Sequence, residues 1–449
     1  MNLTGKEITF RKNNRNLHPY RILVLLGLLI VGVFVLRGIE TDDIQSPFMP
    51  TPIPTRTANS FVMEAETQFF AGDLNKAITA YQEAIKLEPE NVELMADLAR
   101  IQVYSSELLT TDAEKKARLQ EALDTIEQAI EITPDNSTAH AVRSFVMDWS
   151  SNPNLAGDQR ATYLTEAEQA AIQALQLDNQ NTLALAYYAE ILIDQQNWVQ
   201  ADQYSQQALI QDDTIMDVHR VRAYVLESLG NYGDAIREYQ KAIEITPNLT
   251  PLYIAIGVNY RQLQQYEIAL EYFANAASIN ENLSIPNPIP YTAIGKTYSQ
   301  MGEFFIAGRN VLKALNFDPT NADTYGALGI VYFKSRNYEG SILAFKCAVQ
   351  GCNAVESCAV RNGGNECTTE EANSPAIVIE GLPLSGSTVV YYYTYGSALA
   401  ALHRESNGYC TEAMEILGQV RRGFSGEPVV MQIVQSSEDI CTSLGYSRR

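Results

Sequence analysis

Positive charge is scarce in this chain: 32 Lys and Arg stand against 53 Asp and Glu, a net charge of −21 at neutral pH. Nucleic-acid binding takes most of its affinity from a basic stripe along the phosphates, so this balance argues against it. Histidine is scarcer still. The four residues, His18, His140, His219 and His403, are far apart in the sequence. No H-E-x-x-H, G-x-S-x-G or Walker-type glycine loop occurs, and the many carboxylates form no recognisable catalytic pair. No catalytic residue, cofactor or metal site is therefore expected, and the chain reads as a non-enzyme. Cysteine is absent until Cys347, and only one long apolar run is present.

That run, ILVLLGLLIVGVFVL, covers 22–36. At about 1.5 Å per residue it spans roughly 22 Å, short of a hydrocarbon core of about 30 Å. Tyr20 and Gly38–Ile39 extend it, and Arg21 and Arg37 can snorkel outwards. We read 22–39 as a transmembrane helix. Lys6, Arg11, Lys12, Arg15 and Arg21 precede it, whereas Glu40, Asp42 and Asp43 follow. The positive-inside rule then keeps 1–21 as a cytoplasmic basic tail and exports the remainder. A cleaved signal peptide is the competing reading, but the run ends in VLRGIETDD without a small-x-small site. No Cys lies just after the run to carry a lipid. Pro47, Pro50, Pro52 and Pro54 make 40–58 a semi-rigid, extended stalk.

At 449 residues the chain exceeds what one compact core supports, about 250–300 residues. Self-similarity supplies the alternative. From Ala77 as origin, Tyr81, Ala84 and Pro89 follow at +4, +7 and +12, and the pattern recurs from Ala122, Ala167, Ala201, Ala235, Ala269, Ala307 and Ser341. Successive origins lie 45, 45, 34, 34, 34, 38 and 34 residues apart. A partner pattern precedes them, as in Tyr253, Ile256, Gly257 and Tyr260, or Tyr325, Leu328, Gly329 and Tyr332. Large residues at i, i+3 and i+7 make one helix face, and the small residue at i+4 admits a second helix. Gly72, Gly230 and Gly302 fall between the paired helices, where a tight turn favours glycine. The segments 106–119 and 152–164 read as longer turns or helix extensions, and SIPN (284–287) as a four-residue insertion.

This pattern resembles the tetratricopeptide repeat, a 34-residue helix–turn–helix unit with W-x2-L-G-x2-Y followed by Ala, Phe and Pro. Tyr stands here where the family often has Trp. The resemblance covers about 58–350 and, more loosely, 387–421. It implies an all-α superhelical solenoid of eight to nine units, whose concave groove is lined mainly by the first helix of each unit. We assign 59–350 to eight units, 351–386 to a Cys-rich insertion, and 387–449 to a degenerate ninth unit with a capping helix.

The six cysteines, Cys347, Cys352, Cys358, Cys367, Cys410 and Cys441, are even in number and fit disulfides in an oxidising compartment. Zinc is the rival: Cys347 and Cys352 have a suitable spacing but no second pair nearby. Free thiols are the third possibility. Six cysteines allow 15 pairings. An antiparallel hairpin of helices over 410–421 and 427–443 would join Cys410 to Cys441, with the other four paired among themselves. AIVIEGLPL (376–384) alternates like a short strand.

With packing positions removed, Tyr187, Glu190, Asp194, Arg220, Tyr224, Arg261 and Lys296 remain to line the groove. Tyr and Arg favour binding hot spots. Three of the seven are basic in an acidic body, which suggests an extended partner segment carrying carboxylates; solvated or locally paired side chains are the alternative. The carboxylate clamp of chaperone-adaptor repeats does not transfer, because Val62 and Glu66 stand where it needs Lys and Asn. The expected function is a non-catalytic scaffold on the extracytoplasmic side of a cell membrane, binding envelope or secreted proteins. A sensor ectodomain and an envelope enzyme using the Cys-rich region are the alternatives.

Overall fold

The computed structural model describes residues 19–40, 56–373 and 375–446. The basic tail before Pro19 and the stalk over 41–55 lie outside the described residues. The chain divides into two compact units, Met1–Arg56 and Thr57–Arg449. In the first, α1 (Pro19–Glu40) contains a segment, Pro19–Gly38, long and apolar enough to cross a membrane.

The second unit is a stack of antiparallel helix pairs. They are α2 (Ala58–Ala71) with α3 (Leu74–Leu87), then α4 (Val92–Ser106) with α5 (Asp112–Ile132). In the third pair, α6 (Ser137–Ser150) is joined through the short α7 (Pro153–Ala156) to α8 (Arg160–Leu177). There follow α9 (Thr182–Asp194) with α10 (Trp198–Gln211), α11 (Met216–Ser228) with α12 (Tyr232–Ile245), and α13 (Thr250–Gln262) with α14 (Tyr266–Asn282). The last regular pairs are α15 (Ile289–Met301) with α16 (Phe304–Phe317), and α17 (Ala322–Lys334) with α18 (Tyr338–Val349).

Four of the helix starts have a local cause. Asn91, Asn136, Asn181 and Asn321 each cap a first helix by accepting a hydrogen bond from the backbone N–H three residues on. The two 45-residue intervals combine both expected causes: α5 runs 21 residues behind a Thr111–Glu114 capping box, and α7 with a single 3-10 turn lengthens the α6–α8 joint. Close approach explains the small residues at i+4. A Cβ on Gly329 would meet the Phe345 ring at 2.6 Å, and one on Gly396 would meet Leu417 at 2.6 Å.

Beyond α18 the chain makes β1 (Gly351–Cys352), α19 (Ala354–Arg361), α20 (Thr369–Ala372) and β2 (Ile379–Glu380). The strands pair antiparallel, with Cys352 opposite Ile379. Then α21 (Val389–Ala401) and α22 (Tyr409–Gly423) form a further helix pair, and α23 (Pro428–Ser443) packs on both. Cys347 is bonded to Cys352, Cys358 to Cys367, and Cys410 to Cys441. No described cysteine is free.

The array also closes on itself. The Gly72 turn of the first pair meets the α12–α13 turn, where Asn248 Nδ2 donates to the Phe70 carbonyl at 3.0 Å.

Candidate functional site

The first helices α4, α6, α9 and α11 turn their concave faces toward one another, and part of that concavity is filled. Tyr104 on α4 donates to Asp217 on α11 at 2.5 Å, and Tyr187 on α9 donates to the same oxygen at 2.6 Å. Arg220 on α11 grips Glu190 on α9 bidentately, at 2.7 and 2.6 Å. Its guanidinium lies 5.2 Å from the Phe145 ring centroid and 5.6 Å from those of Tyr104 and Trp149. Such a planar, weakly hydrated cation is the one a protein can bury this way. Burial by itself raises the pKa of Asp217. Arg100, Arg220 and the two tyrosine hydroxyls outweigh it and hold the carboxyl below its ordinary range.

Beside this network the concavity stays open as a chamber of about 620 Å³. Its lining includes the apolar Leu119, Leu155, Leu252, Ile254 and Ile289. It also carries Glu107, Lys115, Asp148, Arg160, Glu190, Asp194, Arg220 and Tyr224. Asp148, in the last turn of α6, is only 3% exposed, and its Oδ1 has no hydrogen-bond partner. Arg160 Nε on α8 is likewise unpartnered. Asp194 accepts from the Tyr224 hydroxyl at 2.8 Å, and the Trp149 indole donates to Glu190 at 3.2 Å. Burial pushes the Asp148 carboxyl well up, reinforced by Asp194 and Glu190 and opposed by Arg220 and Arg160. Asp194 is raised too, by burial first, against the Tyr224 hydrogen bond.

The seven groove residues named from the sequence therefore separate. Tyr187 is fully buried in the Asp217 network, and Arg220 is buried against Glu190, so neither is a free groove side chain. Of the two alternatives weighed for the basic groove residues, local pairing is the one that describes Arg220. Glu190, Asp194 and Tyr224 line the chamber, as Arg220 does with its remaining surface. Arg261 and Lys296 do not line it. Arg261 sits 5.7 Å from the Phe273 ring centroid, with burial lowering its pKa, and Lys296 is exposed, 3.8 Å from Asp323.

Sequence reasoning missed Tyr104, Asp148, Trp149 and Asp217. A signal existed for one of them. Asp148, like Asp194, sits in the last turn of its helix, where the macrodipole disfavours negative charge. Two such acids on neighbouring first helices mark a place where stability was not the only demand. Elsewhere the polar groups are structural: His219 lies between Glu238 and the Asp213 carbonyl, and His403 Nδ1 accepts from the Cys410 N–H. No cluster among the described residues has three or more His, Cys, Asp or Glu placed to hold a metal.

Comparison with known proteins gives three kinds of likeness. The family model described as Tetratricopeptide repeat matches residues 58–91, 216–249 and 250–283. The probable UDP-N-acetylglucosamine–peptide N-acetylglucosaminyltransferase SPINDLY of Hordeum vulgare is 30% identical over 104 residues, 22% of this chain and 11% of that protein. The chain thus spans about a tenth of that relative's length. Among solved structures, a tetratricopeptide repeat protein from Parabacteroides merdae is 19% identical, covering 61% of this chain and 98% of its own, with a TM-score of 0.37. The human IFIT1 dimer with PPP-AAAA is 16% identical, covering 88% of this chain and 92% of its own, with a TM-score of 0.51. The IFIT1 likeness is one of fold.

Proposed function

Since the chain is a tetratricopeptide-repeat protein, an interaction scaffold in general terms, we propose that it holds a segment of another protein in its inner chamber, without catalysing a reaction, on the extracytoplasmic side of a membrane. The observation that carries this reading is the chamber itself. Residues of ten helices line about 620 Å³ of unfilled space, and among them Asp148 carries a buried carboxyl oxygen without a partner. A solenoid stabilised by neighbour contacts has no structural need for such a buried, unpaired polar group.

Two features support the location. Three disulfides suit an oxidising compartment. Basic residues before the apolar segment and acids after it suit a cytoplasmic N-terminus. Envelope or secreted proteins are then the partners within reach. The chamber's surplus of carboxylates replaces the acidic segment suggested by sequence with one that presents a cation.

The test is a photo-crosslinking residue placed at Leu155 or Ile254 on the chamber wall, with Ile210 on the outer face of α10 as control. The reading expects protein adducts in intact cells from the chamber positions that Ile210 does not give. Identical adducts from all three, or none from the chamber, would remove it. An intact-cell protease that spares everything beyond residue 60 would remove the location.

A further inference from the structure

We propose that the chamber is a recognition site for an organic ammonium or guanidinium group on an apolar body, seated with its cation between Asp148 and Asp194. This rests on reading the chamber as the binding site and names the chemical group that it takes.

Of the three cations in the lining, Arg220 is engaged bidentately by Glu190. Lys115 and Arg160 are left against Glu107, Asp148 and Asp194, an excess of acid. Asp148 faces Asp194 and Glu190 on α9, Arg220 on α11 and Arg160 on α8. None of these closes its Oδ1, which is buried without a donor. A buried carboxylate in that state carries the full desolvation penalty, which a charge-assisted N–H donor removes. An incoming ammonium supplies both the donor and the opposing charge. Leu119, Leu155, Leu252, Ile254 and Ile289 line the same cavity as the acids, so the ligand needs an apolar body behind its cationic head. Tyr224 fixes Asp194 from the side at 2.8 Å, holding one carboxylate in place before the ligand arrives.

Protonation gives an independent signature. In the empty chamber burial and the neighbouring acids favour the protonated form of Asp148, with Arg220 and Arg160 opposing. A bound cation favours the carboxylate, so binding expels a proton and tightens as pH rises.

The test titrates the full chain in detergent micelles with 2-phenylethylammonium, with the isosteric anion 3-phenylpropionate, and with acetyl-Leu-Lys-Leu-amide. At least one of the two ammonium probes is expected to bind saturably, with heats that differ between phosphate and Tris as a released proton requires. The anion is expected to bind at least about tenfold more weakly, the scale of one charged hydrogen bond. Asp148→Asn and Asp194→Asn should each weaken the cation by about tenfold while the helical circular dichroism is unchanged. Binding of the peptide places the cation on a partner protein. Binding of phenylethylammonium alone keeps the ammonium site but removes the partner segment. Failure of both ammonium probes, or unaltered binding in both Asn variants, overturns the inference. Chamber crosslinks to a protein, obtained without any ammonium binding, would overturn it and leave the scaffold reading standing.

Discussion

Tyr104 and Asp217 lie 113 residues apart and share a 2.5 Å hydrogen bond across the hollow of the solenoid. Repeat arrays are held mainly by contacts between neighbours, so a direct link from the second helix pair to the fifth is an added constraint. Tyr187 donates to the same carboxylate oxygen. Replacing Tyr104 with Phe leaves Asp217 buried with one donor fewer, which costs about 1–3 kcal/mol. Tyr187→Phe should cost a similar amount. Because the two hydroxyls share one acceptor, the double variant should depart from additivity by about 0.5 kcal/mol or more in urea unfolding. Strictly additive losses would mean that the two bonds do not act as one network.

The same closure has a second joint at Gly72. Its φ is 83°, and a Cβ there would meet the Asn248 carbonyl oxygen at 2.5 Å. Gly302 has a similar φ of 85° but open space around it, so it is the natural control. Ala at either position carries backbone strain of about 1–2 kcal/mol. Only Gly72→Ala should also break the contact with Asn248. Hydrogen exchange should then quicken at both Phe70–Asp73 and the α12–α13 turn, and Gly302→Ala should leave both unchanged. Equal behaviour of the two variants would deny the joint.

The helix pairs were legible because each rests on local chemistry. Ala and Gly admit a neighbouring helix, Tyr and Phe fill the space between, and Asn or Pro marks the next start. The extended α5 and α8 were visible as 45-residue intervals. The chamber was not legible, for a physical reason. Arg220, Glu190 and Tyr187 look like polar groove residues when each helix is read alone. Whether they face solvent depends on how tightly the array curls, and that curl brings α4 against α11. Periodicity within a unit carries no information on the angle accumulated over four of them. Asp148 and Asp194 left a trace only through their unfavourable place at helix C-termini.

The chamber acids and the Asp217 network respond to pH with opposite signs. Asp148 holds its proton more firmly folded than unfolded, so the folded chain loses stability as pH rises from the ordinary carboxylate range through the raised folded value. Asp217 is lowered; its stabilisation is present above the ordinary carboxylate pKa and is lost as pH falls through the lowered value. Asp148→Asn removes only the first effect. Its urea midpoint should exceed that of the natural chain at pH 8, and the difference should shrink toward pH 4. A difference that stays constant across that range would show that Asp148 is already ionised throughout without penalty.

The disulfides differ in the length of chain they close, and that length decides what each one holds. Cys410–Cys441 spans 31 residues and ties the start of α22 to the end of α23, with both sulfurs fully buried. Cys347–Cys352 spans five residues within the α18–β1 joint. On the chain-entropy account the longer loop contributes about 3–4 kcal/mol and the shorter about 2. The array is held chiefly by neighbour contacts, and α23 packs on α21 and α22, so loss of the longer bond should act locally. The Cys410→Ala, Cys441→Ala double variant should expose the α23 amides to rapid hydrogen exchange and leave those of α4 to α12 protected. The Cys347→Ala, Cys352→Ala pair should lower stability less and leave α23 protected. If both pairs of substitutions opened α4 to α12 alike, the array would be unfolding as one cooperative body, and the cap at α23 would be holding all of it.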